Sequence, residues 1–159
     1  MDIVDTLLWL FVMNLGIAFG AGLYEIRIIL PQWFSVSPES GFRVNSQVMR
    51  RTDAGLRFWA YVTTVPLTLL TLAGLVVAWQ SQGPRRDWWL GAAVIILVER
   101  IGTFAYFIPT ALKLMRAEPL HDSTVGAMAS QWVSLNYVRA SLTLVGWVAA
   151  LKAFSLPSV

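Results

Sequence analysis

WWLGAAVIILVERIGTFAYFIPTAL, residues 88–112, holds only two charged side chains, Glu99 and Arg100, side by side near its middle. A bilayer core of about 30 Å is crossed by roughly 20 largely apolar helical residues, so this stretch is long enough to span it. An ionisable side chain at that depth costs on the order of 3 kcal/mol on insertion scales, which argues that Glu99 and Arg100 face protein or a wet cavity rather than lipid. Working outward, three further apolar stretches lie near 5–30, 58–79 and 132–154. The whole chain of 159 residues is 57% hydrophobic and 13% charged, with a mean hydropathy of +0.62. That is more apolar surface than a soluble domain of this length buries, so lipid is the expected solvent. The first stretch opens with Asp2 and Asp5 rather than with basic residues and shows no clear small-residue cleavage site, which marks a retained helix rather than a secretory signal. The expected fold is an all-α, integral membrane four-helix bundle in one domain over 1–159, with antiparallel neighbouring helices near 5–30, 46–79, 84–116 and 123–154.

The connections set the ends of these helices. Pro31 is expected to stop the first helix, and 31–51, with Pro38 and Gly41, is the longest polar connection. Its later part, Phe42 to Leu56, can lead into the second span, where Pro66 reads as a kink. Gln80-Ser81-Gln82-Gly83-Pro84 reads as a tight turn, with Pro84 opening the third helix. Asp122, Ser123 and Thr124 offer capping oxygens for the fourth.

Composition also narrows the chemistry. The chain has no cysteine and one histidine, His121, in a polar connection beside Asp122, so thiolate and His-rich metal sites are not expected, nor is any cofactor. The net charge of +3 is better explained by topology and the membrane surface than by nucleic acid. Arg43, Arg50, Arg51, Arg57, Lys113 and Arg116 flank the spans on one side, against Arg85, Arg86 and Lys152 on the other. This bias places the first and third connections in the cytoplasm of a multi-pass protein, of the bacterial inner-membrane kind.

Within the spans the polar residues form seams at helical spacing: Asn14, Ala18, Ala21 and Glu25; Arg57, Tyr61, Thr64, Thr68 and Thr71; Glu99, Thr103, Tyr106 and Thr110; Trp132, Asn136, Arg139, Thr143 and Gly146. Seams of this kind should face one another, so a polar interior is expected, with Glu25, Arg27, Arg57, Tyr61, Tyr106, Asn136 and Arg139 clustered in the half nearer the first and third connections. Trp132 would wall that cavity. Glu99 and Arg100 point about 100° apart on a helix, which suggests a separate partner for each, with Arg139 the expected partner of Glu99. Gly16-x-x-x-Gly20 reads as a close helix crossing, at which Gly20 is expected to be intolerant of bulk.

The chain resembles the anthrone oxygenase-like family of small four-helix membrane proteins. The resemblance rests on the Gly-rich Gly16–Tyr24 segment followed by Pro31, on Ile108-Pro109 with Leu112, and on Trp132-x-x-x-Asn136-x-x-Arg139. It departs at Pro109-Thr110-Ala111, where members of that family often have Asn. The resemblance implies oxidation of an anthrone-type phenol by dioxygen without metal or flavin. Glu25 or Glu99 would then act as base, Arg139 as partner of the phenolate, and Asn136 and Tyr106 as orienting donors, with Arg57, Tyr61, Arg100 and Trp132 completing the binding site. The expected partners are membrane lipid and a small amphipathic, aromatic or quinone-like molecule, with a homo-oligomer left open. Two other classes remain: a non-catalytic membrane subunit whose buried charges hold the fold or a partner helix, and a small oligomeric transporter.

Overall fold

The computed structural model describes residues 2–37, 41–116 and 123–157. Five helices account for most of them: α1 (residues 3–33), α2 (46–52), α3 (55–80), α4 (84–116) and α5 (123–155). The four longer ones contain the apolar stretches Ile3–Trp33, Gly55–Gln80, Pro84–Arg116 and Thr124–Ser155, each long and apolar enough to cross a membrane. They pack as an antiparallel ring in which α1 meets α3, α3 meets α4, α4 meets α5, and α5 returns to α1. The protein is a multi-pass membrane bundle. The α3–α4 connection closes tightly because Gly83, at φ 80°, takes the left-handed turn that delivers Pro84 to the start of α4.

The long first connection is more structured than its polar sequence implies. Strand β1 (Phe34–Ser37) pairs antiparallel with β2 (Gly41–Val44), with Phe34 opposite Val44. The backbone N–H of Asn45 closes the hairpin onto the Trp33 carbonyl at 2.7 Å, and the Asn45 side chain accepts from the Val48 N–H to cap α2. The second span was expected to run unbroken from 46. Instead α2 ends at Asp53, a non-glycine residue at φ 42°, and α3 starts afresh at Gly55. Arg50 pins α2 across the bundle by donating to the Met115 carbonyl at the end of α4. The Asp122 cap and His121 lie outside the described residues.

Three of the four long helices share one irregularity. Wide π-helical turns occupy Glu25–Ile29 in α1, Gly55–Thr64 in α3 and Thr103–Phe107 in α4. A proline follows two residues after each: Pro31, Pro66 and Pro109. Proline cannot donate to the carbonyl four residues back and clashes with it in a regular helix, and a widened turn relieves both problems. Pro31 therefore does not stop α1, which continues to Trp33. Pro66 leaves the Val62 carbonyl without its helical donor, and Asn14 of α1 supplies one, with its Nδ2 at 2.9 Å.

Two apolar cores flank the zone of wide turns. At the end bearing the Gly83 turn, Leu8, Phe11, Leu15, Leu67, Trp89, Ala92, Ile96 and Ala150 are fully buried. At the hairpin end, Leu30, Trp33, Phe34, Met49, Phe107, Leu114 and Trp132 form the second core. Of the expected Gly16–Gly20 pair, close helix approach falls at Gly16 and not at Gly20, and Gly146 adds another. A Cβ on Gly20 would meet nothing, whereas one on Gly16 would come within 3.1 Å of the Trp147 ring, and one on Gly146 within 2.5 Å of the Ile96 side chain. Gly20 lies on the outer surface because the α1–α5 contact follows Leu8, Leu15 and Ala18.

Candidate functional site

Between the two cores lies a cavity of about 390 Å³, within the range of about 300–1,000 Å³ usual for small-molecule sites. All three wide turns contribute to its wall: Glu25 and Ile26 from α1, Trp59, Ala60 and Thr64 from α3, Thr103 and Phe107 from α4. Wide turns of this type recur at functional sites, where they re-aim side chains that a regular helix would carry elsewhere. The straight α5 supplies Trp132, Asn136, Arg139 and Thr143, a row about 16 Å long at the rise of an α-helix.

Two ion pairs set the electrostatics. Glu25 of α1 accepts from the Arg139 guanidinium of α5 at 2.9 Å and, through its other oxygen, from the Trp59 indole of α3 at 3.0 Å. The Arg139 guanidinium also lies 4.7 Å from the centre of the Phe107 ring of α4 and 5.5 Å from that of Trp59. One charged pair thus gathers all four long helices, with the cation sandwiched by aromatic faces. The second pair is local. Arg100 forks back onto Glu99 through Nε at 2.5 Å and Nη2 at 2.7 Å, and Thr103 donates to the same carboxylate at 3.0 Å.

These partners correct the expected pairing of Glu99 with Arg139. Adjacent residues leave a helix about 100° apart at Cβ, but the arginine stem is long enough to fold back, and the rigid bidentate fork rewards it for doing so. Arg139 was left to Glu25, which is 5% exposed.

Six of the residues singled out from the sequence line the cavity: Glu25, Glu99, Arg100, Trp132, Asn136 and Arg139. Three do not. Tyr61 is 75% exposed and Arg57 is also exposed, both on the outer face of α3. They sit inside the π-helical segment, whose wider turn rotates the seam, so that Trp59 and Ala60 point inward instead. Tyr106 is half-buried and lies off the cavity, with its hydroxyl making no hydrogen bond among the described residues. Sequence reasoning missed Trp59, Thr103 as a carboxylate partner, Trp33 and Phe107. The signal that finds Trp59 is the proline seven residues later, which marks the end of a region where 3.6-residue spacing fails.

The walls also carry buried polar atoms with no hydrogen bond among the described residues: Trp33 Nε1, Arg100 Nη1 and Asn136 Oδ1. Two are donors and one, as assigned, is an acceptor. Such atoms are usually satisfied in folded proteins, and each one left unmet costs on the order of 1–3 kcal/mol. Among the described residues no cluster of three or more acidic or histidine side chains is arranged to hold a metal ion. No family model matches the chain, nor does any curated protein or solved structure.

Proposed function

We propose that this chain is a membrane-embedded binder of a neutral, amphipathic aromatic molecule with oxygen functions, quinone-like in character. The observation that carries the proposal is the cavity itself, to whose wall all four long helices bring polar side chains, among them Glu25, Thr64, Arg100 and Asn136. Around them Phe19, Trp33, Trp59, Phe107 and Trp132 offer ring faces and edges to a flat apolar body. A neutral ligand fits better than a phenolate, since Arg139 is already neutralised by Glu25 and Arg100 by Glu99.

Oxidation of the bound molecule by dioxygen without a cofactor, as the family resemblance implies, is the narrower form of this proposal. Its base would be Glu25 or Glu99, and both carboxylates are engaged by arginine and a further donor, so binding has the stronger support. The rival reading, a scaffold whose charges hold the fold, draws on the Glu25 cluster joining four helices. It leaves the cavity without a role.

The test is saturable quenching of tryptophan fluorescence by 2-methyl-1,4-naphthoquinone in detergent. Trp33→Leu removes an aromatic ring from the cavity wall, and is expected to weaken binding about fivefold, the equivalent of one aromatic contact of about 1 kcal/mol. Quenching that rises linearly and identically in both proteins would reduce the effect to partition into the micelle and sink the proposal.

The proposed setting is a bacterial inner membrane with the hairpin end in the cytoplasm, supported by the excess of Lys and Arg at that end. A single cysteine at the exposed Gln47 should then react with a membrane-impermeant maleimide only after cells are opened, and one at Gln82 in intact spheroplasts. The reverse pattern would invert the orientation.

A further inference from the structure

The cavity wall is not equally closed on all sides. Between α3 and α4, three of its lining residues, Leu56, Ile108 and Leu112, are also 64%, 39% and 46% exposed on the outer surface of the bundle. The opposite wall is different in kind: Trp132, Asn136 and Thr143 of α5 and Ala18 of α1 line the cavity and are buried. Glycine adds to the thinness of the α3 side, where Gly55, next to Leu56, lines the cavity with no side chain and has nothing within contact of its Cβ position. The hairpin end, by contrast, is covered by α2, whose Met49 is buried in the core there and whose Arg50 is tied to Met115. Leu56, Ile108 and Leu112 are themselves apolar; Leu56 and Leu112 lie at the ends of their spans beside the exposed Arg57 and Lys113, with Ile108 a turn deeper, so the opening falls where acyl chains meet the headgroups.

We infer that the gap between α3 and α4 at Leu56, Ile108 and Leu112 is a lateral portal, through which the cavity is loaded with a molecule already dissolved in the bilayer. This rests on the cavity-binding reading above and narrows it: the ligand class is one that partitions into lipid, and Leu56 and Leu112 control its access. Pro109 and the wide turn before it lie beside this opening on α4, and Gly55 opens the wide turn on α3.

The portal can be tested without knowing the ligand. The chain has no cysteine, so Thr143→Cys places its sole thiol on the buried wall across the cavity. In proteoliposomes that thiol should react with neutral, lipid-soluble N-phenylmaleimide. It should be far slower than a Cys at exposed Gln82 toward the charged 2-(trimethylammonium)ethyl methanethiosulfonate. Adding Leu112→Trp or Leu56→Trp should slow the maleimide reaction by about tenfold or more, within the one to three decades over which association rates respond to changes at a single site. A lipid-facing Val145→Cys serves as control and should keep its rate in both tryptophan backgrounds. Reaction of Thr143→Cys that both tryptophans leave unchanged, or that is as fast with the charged reagent as at Gln82→Cys, would overturn the portal, as would a thiol inert to both reagents in the folded protein. Failure of quinone binding with a working portal is a separate result, read from the fluorescence titration alone.

Discussion

Glu25→Gln and Arg139→Gln should each lower the stability of the bundle in detergent by about 3–5 kcal/mol, because each leaves the other charge buried without its partner. Glu25 has both oxygens engaged and is 5% exposed, so water cannot take Arg139's place. The double variant should recover a large part of the loss, since two neutral amides no longer carry an uncompensated charge. Thr71→Val provides the contrast. Its hydroxyl donates only to the Leu67 carbonyl of its own helix, so about 0.6 kcal/mol is expected, the average for hydrogen bonds in a membrane bundle. Thermal or denaturant unfolding of the four proteins decides the matter: strictly additive losses for the pair would disprove direct coupling.

Gly146→Ala is expected to cost about 1–3 kcal/mol, a large penalty for one methyl group, because the new Cβ would overlap the Ile96 side chain of α4. The added Cβ would lie 2.5 Å from Ile96 Cδ1 and 2.8 Å from Cγ1, and Ile96 is fully buried. Ile96→Val removes the nearer atom. It should cost about 1 kcal/mol alone, yet return part of the loss when combined with Gly146→Ala. A Gly146→Ala protein as stable as the parent would show that the two helices can slide apart freely.

The four crossings and their antiparallel order were legible in the sequence because they depend on bulk hydrophobicity and length, which survive any local irregularity. So were Glu25, Glu99, Arg100, Asn136 and Arg139 as interior residues, since lipid forbids the alternative. What failed was phase. Seams drawn at regular helical spacing hold along α5, which has no internal proline, and along the Thr64–Thr71 part of α3. They break where α3 widens, turning Arg57 and Tyr61 outward and Trp59 inward. Pairing failed for another reason. The choice of arginine for Glu99 depends on how a flexible stem folds, and the Cα spacing carries no information about that. The hairpin was hidden because β1 and β2 hold each other through the backbone, whatever their polar composition.

The three prolines have a consequence for how such a molecule tolerates changes in chain length. A wide turn holds one residue more than the regular helix needs, so it behaves as an insertion already absorbed. Deleting one residue from Glu25–Ile29 or Thr103–Phe107 would close the wide turn to a regular one and re-aim the residues within it, leaving the segments on either side on the faces they now hold. The half of the bundle around Leu15 and Ile96 would keep its register, anchored by its own packing. The two halves are in this sense indexed separately. Length changes confined to the wide turns re-aim the cavity wall against an unchanged base, whereas the same change in the unbroken α5 would misalign both ends at once.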